Sequence, residues 1–220
     1  MDFVPITSLL SKYFLPAWQS SESEIVHLYQ KYGGPYFPVK KTRYYQLRTA
    51  KIDWLTPGIS FLPQGLEYRP HYWVMPWASK ERASVTWVQR IKRRMGFRDL
   101  FHSFTGLIDA VFREGYSHEK GGIPVVCFES RFSSPVYIYL DGNHRMGILG
   151  TLAKKNKELI NVPVLIRDSF TWEKIESSPL LAQLIQDRQM TKKDARTWFE
   201  HVFQAYKRAQ DDKKRDFLTC

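Results

Sequence analysis

Apolar and polar positions follow two different rhythms along this chain, and each change of rhythm marks an element. Leu100, Phe101, Phe104, Leu107, Ile108, Val111 and Phe112 recur at helical spacing, and Glu114-Gly115 closes that run. The next apolar stretches are shorter and lack the helical period: Ile123 to Phe128, Pro135 to Leu140 and Val162 to Ile166. They read as strands. Between the second and third, Asn143 to Lys155 reads as a helix, a connection long enough for a right-handed parallel crossover. Upstream, Ser84 to Met95 predicts a helix with Ser84 as N-cap and Val88, Ile91 and Met95 on one face, ending before Gly96. Ile59 to Leu62 and His71 to Trp77 are two further strand candidates. Nearer the start, Ser21-Glu22-Ser23-Glu24 opens a helix through Ile25, Val26, Leu28 and Tyr29, which Gly33-Gly34-Pro35 ends.

After Asp168 the pattern turns helical. Thr171 to Met190 predicts one or two helices broken near Ser178-Pro179. Thr191-Lys192-Lys193-Asp194 resembles a capping box with Asp in place of Glu. It opens a helix with Trp198, Phe199, Val202, Phe203 and Tyr206 on one stripe, which either packs on the same domain or offers a homodimer face. Asp211-Asp212-Lys213-Lys214-Arg215 reads as a solvated tail. The predicted class is α/β, in the α+β sense, with a small mixed sheet. Residues 1–58 form an aromatic-rich N-terminal extension packed on the core, 59–168 the core, and 169–220 a helical C-terminal cap.

Composition supports a folded domain. Of 220 residues, 43% are hydrophobic and 15% aromatic, ample for a packed core. No stretch approaches the length of a membrane-spanning helix. Met1 to Pro5 lacks the basic region and apolar run of a secretory signal. Cys127 falls in a predicted strand and Cys220 is the last residue, so neither a disulfide framework nor a metal-spaced cluster is expected. The setting these features predict is cytoplasmic. A formal charge of +11 favours anionic partners, whether nucleotides, nucleic acid, phosphorylated sugars or a membrane surface.

Polar residues crowd one turn. The run Tyr137 to Leu140 stops at Asp141-Gly142, and the next helix begins at once with Asn143-His144-Arg145-Met146. Gly142 can take backbone angles that other residues avoid. The amides from Gly142 and Asn143 through Met146 open a helix whose first amides have no partners inside it, and the helix dipole favours an anion there. Arg145 offers bidentate donors to phosphate, and His144 can donate or shuttle a proton. Asp141 can hold a metal, orient the histidine or cap the helix. The alternative is an ordinary Asp-Gly turn with a surface His-Arg pair.

Two familiar phosphate motifs are excluded. No Gly-x-x-x-x-Gly-Lys-Ser/Thr is present. The Fic-type motif needs a histidine four residues before its acidic residue and a second glycine, where this chain has Tyr137 and His144. Asp141-Gly142-Asn143-His144-Arg145 instead resembles the Asp-Gly-x-His-Arg turn of non-partition members of the ParB/sulfiredoxin superfamily, including free-serine kinases. The order around it is also similar, from the helix closing at Gly115 through the strands at 123–128, 135–140 and 162–166. The resemblance covers 100–168.

The resemblance implies a kinase-like phosphotransferase that uses ATP or another nucleotide with Mg²⁺ and acts on a small, hydroxyl-bearing acceptor. Gly142, Asn143, His144, Arg145 and Met146 would hold phosphate, with Asp141 near the metal and Asp141 and His144 in the chemistry. In that branch a glutamate shortly after the first core strand resembles a catalytic base, and Glu81 is its counterpart by order. Glu114 is a second acid/base candidate, and the loop Tyr116 to Gly122 could cover a nucleotide or merely connect. The sulfiredoxin branch is excluded because Asn143 stands where it has a nucleophilic cysteine.

A nucleic-acid reading stands beside the enzyme. Arg90, Lys92, Arg93, Arg94 and Arg98 crowd one helix end, as a polyanion patch or a solvated terminus. Lys40-Lys41-Thr42-Arg43-Tyr44-Tyr45 mixes cations and rings that could stack on a strand or line an amphipathic surface. This reading would make the chain a ParB-like DNA-binding protein or nuclease. Partition proteins, however, resemble a Gly-Glu-Arg-Arg turn and need a helix-turn-helix domain after the core.

Overall fold

The sheet is built outward from two strands that the sequence places side by side. The structure is a computed structural model describing residues 2–10, 16–49, 87–116, 121–139, 141–187 and 191–218, with the backbone alone at 47, 87–94, 180 and 215–218. β3 (Ile123–Ser130) and β4 (Ser133–Tyr139) form an antiparallel hairpin with Val126 opposite Ile138. β5 (Asn161–Phe170) lies on the other side of β3, parallel to it. The helix after β4 therefore does not lead to a parallel neighbour of β4. The chain passes over β3, and the parallel pair is β3 with β5.

The edges come from the start of the chain. β1 (Asp2–Pro5) runs antiparallel on β5, and β2 (Leu9–Leu10) runs parallel on β4. The order is β1-β5-β3-β4-β2, a mixed sheet in an α+β fold. Between its two short strands the chain bonds across the sheet end, the Ile6 amide donating to the Ile160 carbonyl at 2.8 Å. Residues 2–10 are thus part of the sheet itself, and each edge they supply masks backbone groups that would otherwise invite pairing.

Alternation along the strands gives each face its own core. Ile123, Val125, Tyr139, Val162 and Val164 meet Met146, Leu149 and Ala153 of α4 (Asn143–Asn156). Val126, Phe128, Val136 and Ile138 meet Trp198, Phe199 and Val202 of α7 (Lys192–Leu218). α5 (Trp172–Glu176) and α6 (Pro179–Gln186) add Ile175, Leu181 and Leu184 to that side. A third core lies on the far side of α4. There Ile148 packs with α1 (Ser21–Tyr32), α2 (Arg43–Arg48) and α3 (Trp87–Glu114) through Ile25, Val26, Tyr44, Phe97, Phe104 and Ile108.

Local signals set the ends of several helices. Ser20 Oγ accepts from the Ser23 amide at 3.1 Å, and left-handed Gly33 closes α1. Pro179 opens α6. Thr191 Oγ1 accepts from the Asp194 amide at 3.1 Å, while Asp194 Oδ2 accepts from the Thr191 amide at 3.0 Å. Aspartate thus serves in the reciprocal cap.

Two readings change, and the first of the two readings of the α7 stripe holds. Gly96 does not end a helix; α3 runs through it to Glu114, because Phe97, Phe104 and Ile108 bury on the same side. Asp211 to Arg215 is helical, since α7 reaches Leu218. That end is held by contacts invisible to a charge count: Gln19 Nε2 donates to Asp212 Oδ2 at 3.1 Å, and Gln210 Nε2 to the Thr7 carbonyl at 2.8 Å. The apolar stripe of α7 is covered by the chain's own sheet, where Trp198 and Val202 are buried, rather than offered to a second copy. The strand candidates at 59–62 and 71–77, with Ser84, Glu81 and the loop residues 117–120, lie outside the described residues. No helix among the described residues is long and apolar enough to cross a membrane.

α4 sits unusually close to the N-terminal segment, and two glycines allow it. A Cβ on Gly147 would fall 2.4 Å from Glu22 Cβ, and one on Gly150 would fall 2.6 Å from the Ala17 carbonyl carbon. Among the described residues, a Cβ on Gly96 meets nothing within 4 Å. The two positions should therefore respond oppositely to alanine. Gly96→Ala should stabilise by up to about 1 kcal/mol through helix propensity. Gly147→Ala should destabilise by about 1–3 kcal/mol through overpacking, despite the same propensity gain. Urea unfolding midpoints check both, and equal shifts would show that α1 is not pressed against α4.

Candidate functional site

β4 ends beside the turn and α4 begins just after it, so the fold presents Asp141 to Arg145 at one end of the sheet. Gly142 is left-handed, at φ 76° and ψ 21°. A Cβ there would come within 2.7 Å of Ile123 Cδ1 and about as close as contact allows, 3.5 Å, to Arg145 Nη2. The left-handed backbone is the ground on which glycine is favoured, since the end methyl of Ile123 is the one atom in the way. Asp141 is exposed, and its Oδ1 accepts from the Gly142 amide at 2.7 Å. The carboxylate thus shapes the turn instead of capping α4, which has no side-chain cap.

Arg145 folds back over the turn. Its guanidinium lies beside Gly142, and Nη1 reaches toward the Gly121 carbonyl at 3.5 Å. Asn143 is half-buried. The Met146 amide donates to the Gly142 carbonyl at 2.8 Å, and the Met146 side chain is buried in the core. Met146 is therefore removed from the phosphate set: its amide already has a helical partner. The group that remains is Asp141, Gly142, Asn143 and Arg145, with the backbone of His144.

The His144 side chain departs from expectation. Its ring turns inward, stacked on Phe104 with centroids 4.2 Å apart and planes 10° apart. Its Nε2 shares a hydrogen bond of 2.8 Å with the Tyr44 hydroxyl. Burial, then the nearby Arg48 cation, push its pKa down to about 4 against the raising influence of Glu22 and Asp141. A neutral imidazole held between rings is a packing member, not the proton shuttle or phosphate donor expected of it.

Behind it lies a network that sequence did not reveal. Glu22 is buried, and its Oε1 accepts from Arg48 Nη2 at 2.8 Å while Oε2 accepts from the Ser21 hydroxyl at 2.9 Å. Burial raises the Glu22 pKa, but the Arg48 cation, aided by His144 and Ser21, brings it below the ordinary carboxylate value. The Arg48 guanidinium also lies 5.4 Å from the Tyr44 ring centre, and burial pushes the Tyr44 hydroxyl well above its usual range. In the sequence Glu22 reads only as part of the Ser21 to Glu24 opening of a helix. No spacing rule links it to Arg48, Tyr44 or His144.

The other expected residues do not join the turn. Glu114 is exposed at the end of α3 and pairs with Arg113 at 3.2 Å. Glu81 lies outside the described residues. Arg90, Lys92, Arg93 and Arg94 lie on the first turns of α3, where only the backbone is described, and Arg98 is exposed farther along it. Two clefts are found elsewhere. One of ≈ 490 Å³ beside the start of α1 is lined by Ser21, His27, Arg43, Thr151 and Lys154, among others. One of ≈ 480 Å³ against α3 is lined by Pro35, Arg98, Asp99, Phe101, His102 and Thr105. Neither is lined by the turn.

Compared with known protein families, curated proteins and solved structures, the chain finds no match.

The depressed His144 pKa ties stability to pH. Between its ordinary 6.5 and the folded value of about 4, the unfolded chain binds more protons at this position, so stability falls as pH drops through that window. By pH 5 the loss should be on the order of 2 kcal/mol. His201 is also depressed, by burial and then by Arg208, so the wild type carries both effects. Glu22 adds its loss only below its ordinary 4.5. Urea midpoints of wild type and His144→Gln at pH 7.5 and 5 should show a flatter pH response in the variant. Equal responses would mean that His144 is not held neutral.

Proposed function

We propose that this chain is a nucleotide-dependent phosphotransferase that binds phosphate at the Asp141–Arg145 turn and acts on a small, hydroxyl-bearing acceptor. The observation that carries this reading is left-handed Gly142 opening α4 with no side chain capping it. The first amides of α4 and the positive end of its dipole then favour an anion at one place. Arg145, beside Gly142, adds planar donors suited to phosphate oxygens. The resemblance of this turn to that of the ParB/sulfiredoxin superfamily supports the same assignment.

Asp141 is the chemical group at the turn. Its carboxylate is exposed and can accept a proton from an acceptor hydroxyl. Among the described residues no three His, Cys, Asp or Glu side chains gather as a metal cluster. A cation would therefore be held by phosphate oxygens with Asp141 beside them. Mg²⁺, bound with ATP or another nucleotide, supplies charge neutralisation at those oxygens. The protein's own share is positioning, through Gly142, Arg145 and the amides. His144 contributes its backbone alone.

A thermal-shift panel of ATP, ADP, CTP, GTP and pyrophosphate, each with and without Mg²⁺, tests the reading. A ligand at 100 times its dissociation constant should add about 2.7 kcal/mol of stability. Arg145→Ala should weaken binding by roughly 1.5–3 kcal/mol through the lost charge-assisted contact. Asp141→Asn retains an oxygen for the Gly142 amide, so it should bind nucleotide yet lose phosphoryl transfer to a hydroxyl acceptor. No shift with any nucleotide would remove the proposal.

A further inference from the structure

The strongest feature outside the turn is a ring left bare on a fixed support. Left-handed Gly33 ends α1, and the Gly34 amide donates to the Tyr29 carbonyl at 2.9 Å, which sets the path of Pro35 and Tyr36. Tyr36 is 86% exposed, although a cluster of rings lies beside it in sequence. Its ring edge lies over Gly34, where a Cβ would meet Cδ2 and Cε2 at 3.5 Å. The ring thus lies near the side-chain-free face of Gly34 while most of its surface faces water. Such an arrangement contributes little to a core and presents a stacking surface just past the closed end of α1.

Its neighbours in sequence and the cleft that starts at Pro35 are basic and aromatic. Tyr32 is half exposed and packs on Phe37 at 6.2 Å, and Phe37 meets Phe101 edge-on at 5.9 Å. Phe101 stacks on Phe97 with planes 14° apart, so these rings are backed by the third core. Lys31, Lys40, Lys41 and Arg98 are all exposed, as is His102. The ≈ 480 Å³ cleft begins at Pro35, next to Tyr36, and its wall joins Phe101 to Arg98 and His102, with Asp99 the carboxylate there. The preceding turns of α3 carry Arg90, Lys92, Arg93 and Arg94 in sequence.

We propose that this surface, the end of α1 with the middle of α3, binds single-stranded nucleic acid. A bare ring beside a cleft accepts unpaired bases, because every base has a face to stack. The cations follow the phosphates and account for some of the chain's excess positive charge. A duplex hides its base faces and would use the cations alone. The rings at Lys40 to Tyr45 are not the platform, since Tyr44 is fully buried. Lys40 and Lys41 supply charge, and Tyr36 supplies the ring. This site is separate from the Asp141–Arg145 turn and does not depend on nucleotide binding there.

Fluorescence anisotropy on the full chain tests it, with labelled oligo-dT and oligo-rU of about 20 nucleotides and a duplex of equal length, at about 50 mM salt. Single strands should bind, and more tightly than the duplex. Tyr36→Ala should weaken single-strand binding about fivefold or more with an unchanged melting temperature, while Tyr36→Phe keeps it. Arg98→Ala should flatten the slope of affinity against salt by about 0.7. Arg145→Ala should leave strand binding intact, which separates this result from the nucleotide panel. No binding at low salt, an unaffected Tyr36→Ala, or a duplex bound as tightly as a single strand would each overturn the proposal.

Discussion

A carboxylate in the interior is the constraint around which the helices settle. Glu22 is buried against α4, and its charge is tolerated because Arg48 reaches it from α2. Such a pair need not add much net stability, since both groups lose water to form it. It does restrict arrangement, because either partner left alone would be a bare charge in the core. The same residue's backbone lies where a side chain on Gly147 would have to go. One residue thus fixes the position of α1 on α4 and of α2 beside them both. Tyr44, brought in with α2, then meets His144 and settles the direction of its ring.

Elements specified by neighbouring residues were legible in the sequence. The hairpin strands, α4, the closure of α1 at Gly33 and the Thr191–Asp194 cap all depend on signals within a few positions of one another. Elements specified from afar were not. β2 has only Leu9 and Leu10, too short for any period, and exists because β4 lies alongside. Gly96 was read as a stop because local propensity says so, whereas Phe97 and Phe104 bury strongly enough to carry the helix through it.

The turn shows the same division. Its backbone form followed from Gly142, and its polar content from the adjacent residues. The direction of His144 did not, because its partner Tyr44 stands 100 residues away and Glu22 farther still. Chemistry at the turn therefore rests on fewer side chains than the motif displays. Asp141 is exposed beside Gly142, Arg145 folds back over the turn, and the histidine between them secures the helix from behind. The ring of Tyr36 was equally illegible: a tyrosine after Gly-Gly-Pro has no pattern that reveals whether it will be buried or bare.

Both rims of the sheet are supplied by residues 2–10, and α7 adds its contacts to the pairing with β4 and β5 that holds them. Thr7 and Gln210 stand 203 residues apart, and Gln19 and Asp212 stand 193 apart. During synthesis the rim strands emerge well before β4, β5 and α7, the elements that hold them. Residues 2–10 have no strand to pair with until β4 and β5 emerge, and loop closure over such a span is slow. The newly made chain thus passes through a stage of its synthesis with strand edges available to neighbours. Its vulnerability to aggregation belongs to its birth rather than to its finished form.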